Sequence, residues 1–161
     1  MKLSTTQSRA RFVQSPVAVL GTADATGATH LVPVTFLASG DLLFIAIDDK
    51  PKRSRDLKRL RNIAANPRVC LLVQHYETDW SRLWWARADG TARTVEPQDV
   101  PETVRAGLLD RYPWYAQNPP TGPVIEVTVQ QWSGWAFTDA DPDTAPDTAP
   151  GPENESPDGA A

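Results

Sequence analysis

The sequence predicts a mainly β protein with a few helices, a six-stranded antiparallel β-barrel, closed or split. Three observations predict it. Six segments have strand character, and helical periodicity is confined to the start, the middle and the stretch before the last strand. The third is negative: there is no Gly-rich dinucleotide fingerprint and no nucleotide-triphosphate phosphate loop, so a βαβ fold is not indicated.

Taken in order, Ser4 to Gln14 reads as a short helix, with Ser4 as N-cap, Phe12 and Val13 facing a core, and Pro16 just beyond its end. Val17 to Ala23, Thr29 to Ala38 and Leu42 to Asp48 follow as strands. Asp24 to Gly27 and Ser39 to Asp41, rich in residues that tolerate turn geometry, join them into an antiparallel meander. After Pro51, Leu57, Leu60, Ile63 and Ala64 recur at helical spacing until Asn66-Pro67 stops the helix. Strands resume at Arg68 to Tyr76 and Leu83 to Val95, separated by the polar Glu77-Thr78-Asp79. A further helix is expected between Val100 and Leu109, and a final strand from Val124 to Trp132.

The 161 residues suit one domain, residues 1–137, followed by a tail, 138–161. The tail holds five of the 15 prolines, a tandem Asp-Thr-Ala-Pro repeat and no large apolar residue, so it is expected to be disordered. It also carries seven acids and no base. Residues 1–137 therefore have 16 bases against 13 acids, a net +3 hidden inside the overall −4. That balance suits an anionic small ligand and falls short of a nucleic-acid binder. The single cysteine, Cys70, excludes an intrachain disulfide, and its apolar neighbours suggest a buried thiol. No apolar run is long enough for a membrane span and no signal segment is apparent, so a cytoplasmic protein without membrane partners is expected.

Three stretches can carry chemistry. The first is Lys50-Pro51-Lys52-Arg53-Ser54-Arg55, leading into Lys58, Arg59 and Arg61: seven bases within twelve residues. An arbitrary charge run is usually a solvated helix face. This one clusters where a strand gives way to a helix, whose unpaired N–H groups and positive dipole end favour phosphate. The second is Leu31-Val32-Pro33-Val34-Thr35-Phe36, a strand whose proline belongs at an edge or a bulge, where backbone groups are free to meet a ligand. The third is tryptophan-rich: Trp80, Trp84 and Trp85, with Trp132 and Trp135 later. Adjacent Trp84 and Trp85 must point to opposite faces of a strand, so one packs inward and the other meets a ligand or a partner. His30 reads as a surface residue. No catalytic side chain and no metal ligand is assigned.

In this order, the Val-Pro-Val strand, the Lys-Pro-Lys-Arg-Ser helix entry, Asn66-Pro67-Arg68-Val69 and Trp80-Ser81-Arg82-Leu83-Trp84-Trp85 resemble the pyridoxamine 5′-phosphate oxidase-like split-barrel superfamily. Within it the chain is most similar to the actinobacterial branch dependent on the deazaflavin coenzyme F420. The resemblance covers about residues 3–137. It implies a homodimer with a flavin-reductase-like barrel, a cofactor at the subunit interface and a small-molecule substrate. By position, Lys50, Lys52, Arg53 and Ser54 would bind the cofactor phosphate and Val32, Pro33 and Val34 would line the ring. Trp80, Trp84 and Trp85 would help complete the site, and Arg55, Lys58, Arg59 and Arg61 would meet the acidic tail of F420. The expected activity is hydride transfer between F420 and an electron-poor organic substrate. An FMN-dependent oxidoreductase is the nearest alternative, and a non-catalytic cofactor- or haem-binding barrel is another.

Overall fold

The computed structural model describes residues 1–47 and 57–138. Along the chain run α1 (Thr5–Gln14), β1 (Val17–Ala23), β2 (Thr29–Thr35), β3 (Leu37–Ser39), β4 (Leu42–Ala46), α2 (Lys58–Ala65), β5 (Arg68–His75), β6 (Trp84–Val95), α3 (Glu102–Arg111), α4 (Pro113–Gln117) and β7 (Val124–Ala136). The strands form one antiparallel sheet in the order β2-β1-β5-β6-β7-β4-β3. β2 and β3 are consecutive in sequence yet stand at opposite ends of that order, so the sheet curls until its edges approach. This is the mainly β split barrel that the sequence predicts, with seven strands instead of six.

The extra strand comes from Phe36. The expected strand Thr29 to Ala38 breaks there, because the Phe36 ring turns wholly into the core and its backbone leaves the ladder. The Phe36 N–H donates to the Tyr112 hydroxyl oxygen at 3.0 Å, and that hydroxyl lies 2.7 Å from the Phe36 carbonyl. One side chain thus satisfies backbone groups that a strand neighbour would otherwise bind. The two turns follow the sequence more closely. Asp24 accepts from the N–H groups of Thr26 and Ala28 at 2.9 and 3.0 Å, while Gly27 and Gly40 take the positive φ that each turn needs.

The final strand is longer than expected, reaching Ala136 instead of Trp132. Gly134 lies within this extension of the strand. A Cβ there would sit 2.8 Å from Ser8 Oγ, so the missing side chain lets α1 lie close against β7. Beyond β4, the free edge of β7 is covered by the first residues of the chain: the Leu3 N–H donates to the Gly134 carbonyl at 3.0 Å, and the Ala136 N–H to the Met1 carbonyl at 2.9 Å. α3 starts and ends two residues later than expected, and α4 follows it at Pro113.

Two cores result. Phe12 from α1 meets Phe36 and Trp132, each at 5.2 Å between ring centroids, inside the barrel with Leu20, Leu43, Ile45, Leu71 and Ile125. Burying side chains of this size contributes about 2–3 kcal/mol each. A second cluster lies outside the curl, where Val104, Leu108 and Tyr115 of α3 and α4 cover Phe44, Ala46 and Val124. β4 is consequently buried on both faces, which explains its unbroken apolar run. Among the described residues, no helix is long and apolar enough to cross a membrane.

Candidate functional site

The densest part of the basic stretch, with Lys50, Lys52, Arg53, Ser54 and Arg55, lies outside the described residues, but both of its anchors are within them. Ile47 is buried, and its N–H donates to the Pro123 carbonyl at 3.3 Å. At the other end, Leu57 and Leu60 pack against the main core, and Ile63 is buried in it. Asn62 is also buried, donating through Nδ2 to the Thr22 hydroxyl of β1 at 3.0 Å. These contacts fix the rotation of α2 and leave Lys58 and Arg61 exposed. Leu57 supplies no capping side chain, and the first turn of α2 has no acid. The start of this helix is therefore electropositive and uncapped by its own side chains, a suitable environment for an anion.

The three β2 residues do not share a face. Val34 is buried and Val32 packs against the core, whereas Pro33 is exposed on the outer side, opposite Val19. β2 ends the sheet order, so a proline is tolerated there as expected. The tryptophans divide as well. Trp80 sits on a single 3-10 turn capped by Asp79 and is 70% exposed. Trp84 points inward, with the Arg11 guanidinium 5.4 Å above its ring and His75 stacked at 6.2 Å. Trp85 points outward opposite Trp135. Trp132 is a core residue.

What sequence reasoning missed is the outer face of β2-β1-β5-β6. Strand alternation places Leu31, Pro33, Val17, Val19, Leu72 and Trp85 there, with Leu31 67% and Val17 48% exposed. Among the described residues no helix covers it. The signal was present, since Val17 to Leu20 and Val69 to Val73 are apolar at both strand parities, a pattern that suits burial on two faces. At the β6 border of this face the Arg87 Nε donates to Asp89 Oδ2 at 2.9 Å. Cys70 lies beside Asp89 in register; burial chiefly, and then the Asp89 charge, push its thiol pKa up, so it is a protonated thiol at neutral pH.

The family model described as pyridoxamine 5′-phosphate oxidase matches residues 4–136, which spans every described element of the barrel. The chain belongs to this family. Solved structures share the fold at low identity. A conserved hypothetical protein of Mycobacterium tuberculosis is 17% identical with a TM-score of 0.67, covering 94% of each chain. A FAD-binding protein of Mesorhizobium loti is 17% identical with a TM-score of 0.62, covering 83% of this chain and 95% of that one. The haem storage protein of Vibrio cholerae is 19% identical with a TM-score of 0.60, over 83% and 95%. No curated protein matches.

Proposed function

We propose that this member of the pyridoxamine 5′-phosphate oxidase family is a cytoplasmic oxidoreductase that uses coenzyme F420. It moves a hydride between the deazaflavin and a small electron-poor organic molecule, at a site shared by two subunits of a homodimer. The observation that carries this reading is the run of seven bases from Lys50 to Arg61. It starts after the buried end of β4 and finishes on a helix whose rotation Asn62 and Ile63 fix.

The donor set fits the coenzyme. Lys50, Lys52, Arg53 and Ser54 supply ammonium, guanidinium and hydroxyl donors for one phosphate. Arg55, Lys58, Arg59 and Arg61 continue the positive charge along the chain, which a tail of several carboxylates requires and a bare phosphate does not. Pro33 and the neighbouring apolar outer face offer a surface for a flat ring, and Val32 and Val34 hold that strand to the core from behind. Trp80 and Trp85 supply aromatic contact, while Trp84 steadies the strand beneath them. Two copies joined through the outer face exclude water from the ring. When bound, the coenzyme supplies hydride chemistry at ring carbon 5, and the protein's part is binding, orientation and exclusion of solvent.

Titrating the protein into oxidised F420 is expected to change the coenzyme's fluorescence at micromolar concentrations. Lys52→Ala and Arg53→Ala are each expected to weaken binding about tenfold or more, the worth of one charge-assisted hydrogen bond. Absence of binding at high micromolar coenzyme sinks the proposal. FMN is the second reading, because the phosphate donors alone would serve it and a FAD-binding protein shares the fold. Protein that purifies with stoichiometric FMN reassigns the cofactor. Tight binding of F420 without turnover across quinones, enones and nitroaromatics assigns a carrier or storage role, as in the haem storage protein of the same fold.

A further inference from the structure

The Arg87–Asp89 pair borders the apolar part of the outer face. Its flanks in register are Leu72 and Cys70 on β5, with Val19 beyond Leu72 on β1, and Ser133 and Gln131 on β7, while Trp85 lies two residues before it on β6. The Arg87 and Asp89 side chains are 43% and 33% exposed. Only the guanidinium Nε is engaged with the carboxylate, and no other hydrogen-bond partner of Arg87 is found among the described residues. One positive and one negative charge therefore stand side by side where the apolar outer face of β1 and β5 meets the more polar outer face of β7, and the Arg93–Glu126 pair lies four residues further along β6.

Resting on the homodimer of the proposed function, we propose that Arg87 and Asp89 set the register of that dimer, each meeting the opposite charge of the second copy. A two-fold interface brings the same patch of both subunits together, so residue i meets j and j meets i. Residues two apart on a strand are separated by about 7 Å. An axis passing between them, beside Ala88, and lying between the two faces reverses one strand relative to the other. Each guanidinium then stands over the carboxylate of the second copy, and its unengaged N–H groups find acceptors. An axis displaced along the strand by one residue pair sets Arg87 against Arg87 or Asp89 against Asp89, and that repulsion rejects the wrong registers. Each face is neutral as a pair, so assembly buries no net charge.

Sedimentation and mixing experiments on the full chain test this. Wild type is expected to dimerise. Arg87→Glu makes the face carry two negative charges and Asp89→Arg two positive charges, so each variant alone is expected to dissociate about 100-fold more readily. Mixed together, they are expected to form a heterodimer. The double exchange Arg87→Asp with Asp89→Arg restores one charge of each sign and is expected to dimerise alone, with an unchanged far-ultraviolet circular dichroism spectrum showing that the swapped chain folds. Single variants that dimerise like wild type overturn the assignment while leaving the homodimer intact, as does a mixture that stays monomeric. A monomeric wild type overturns the homodimer and this inference with it.

Discussion

Two hydrogen-bonding side chains, Tyr112 and Asn62, hold the barrel in the shape that presents its surfaces. The Tyr112 hydroxyl accepts from the Phe36 N–H and from Arg111 Nε, and has its own proton for either the Phe36 or the Pro16 carbonyl, at 2.7 and 2.8 Å. A phenol has one proton, so it serves only one of these carbonyls at a time. Tyr112→Phe keeps the ring and removes the hydroxyl from all four groups. It is expected to cost about 2–3 kcal/mol, because the Phe36 N–H is left without an acceptor where the chain passes between the sheet edges. Urea unfolding measures this, and a loss below about 0.5 kcal/mol would mean that water replaces the hydroxyl. Asn62→Ala is expected to cost about 2 kcal/mol by stripping the buried Thr22 hydroxyl of its donor. Because Asn62 also fixes the rotation of α2, the same variant should weaken F420 binding under conditions where the protein is still folded. Unaltered affinity in folded Asn62→Ala protein would show that α2 holds its orientation without this bond.

At the scale of elements, legibility in the sequence followed how local the determining contacts are. The α1 start was legible because its cap is local: Ser4 Oγ accepts from the Gln7 N–H at 3.2 Å and Gln7 Oε1 accepts from the Ser4 N–H at 2.9 Å. The strand break at Phe36 was not, since its cause is a tyrosine 76 residues away. The end of β7 was hidden for the same reason, as Gly134 is there for helix α1 and not for a turn. The basic stretch was legible as charge, and Pro33 as an edge residue, but the outer face, which no helix covers among the described residues, was not, because apolar residues at both strand parities do not say which parity faces the core. Gly90 is another case where the partner decides. It marks the register shift between β6 and β7, and a Cβ at that position would run into the Thr128 carbonyl. Gly90→Ala is expected to destabilise by about 2 kcal/mol or more despite raising intrinsic strand preference, since the obstacle is backbone. A thermal midpoint within a degree of wild type would mean that the bulge simply relocates.

At the scale of the whole molecule, α1 and α2 plug the barrel and α3 with α4 cover β4, so that among the described residues the outer face of β1, β5 and β6 is left open, the surface on which the proposed dimer and cofactor site would converge. Cys70 reports on it without any substitution. Its thiol pKa is raised above the ordinary value of 9.0 by burial first and by the Asp89 charge next. The sign is that of an acid whose charged form is disfavoured in the fold: the protonated thiol is the stable state, and its contribution to stability is lost as pH rises through the folded pKa. Alkylation by a maleimide at pH 8 should therefore run slower in the native protein than in urea, and the native rate should keep climbing with pH beyond the point where the unfolded thiol levels off. Protein concentration separates local burial from assembly. If the outer face is the subunit contact, raising the protein from well below to well above its dimer dissociation constant should slow alkylation about tenfold or more at fixed pH, because only the monomer exposes the thiol. Arg87→Glu, which is expected to disfavour the dimer, should abolish that concentration dependence, with a slower monomer rate because Arg87 lowers the Cys70 pKa and a glutamate in its place raises it. A rate independent of concentration across the measured monomer–dimer transition would place the subunit contact elsewhere and take Cys70, Arg87 and Asp89 out of it together.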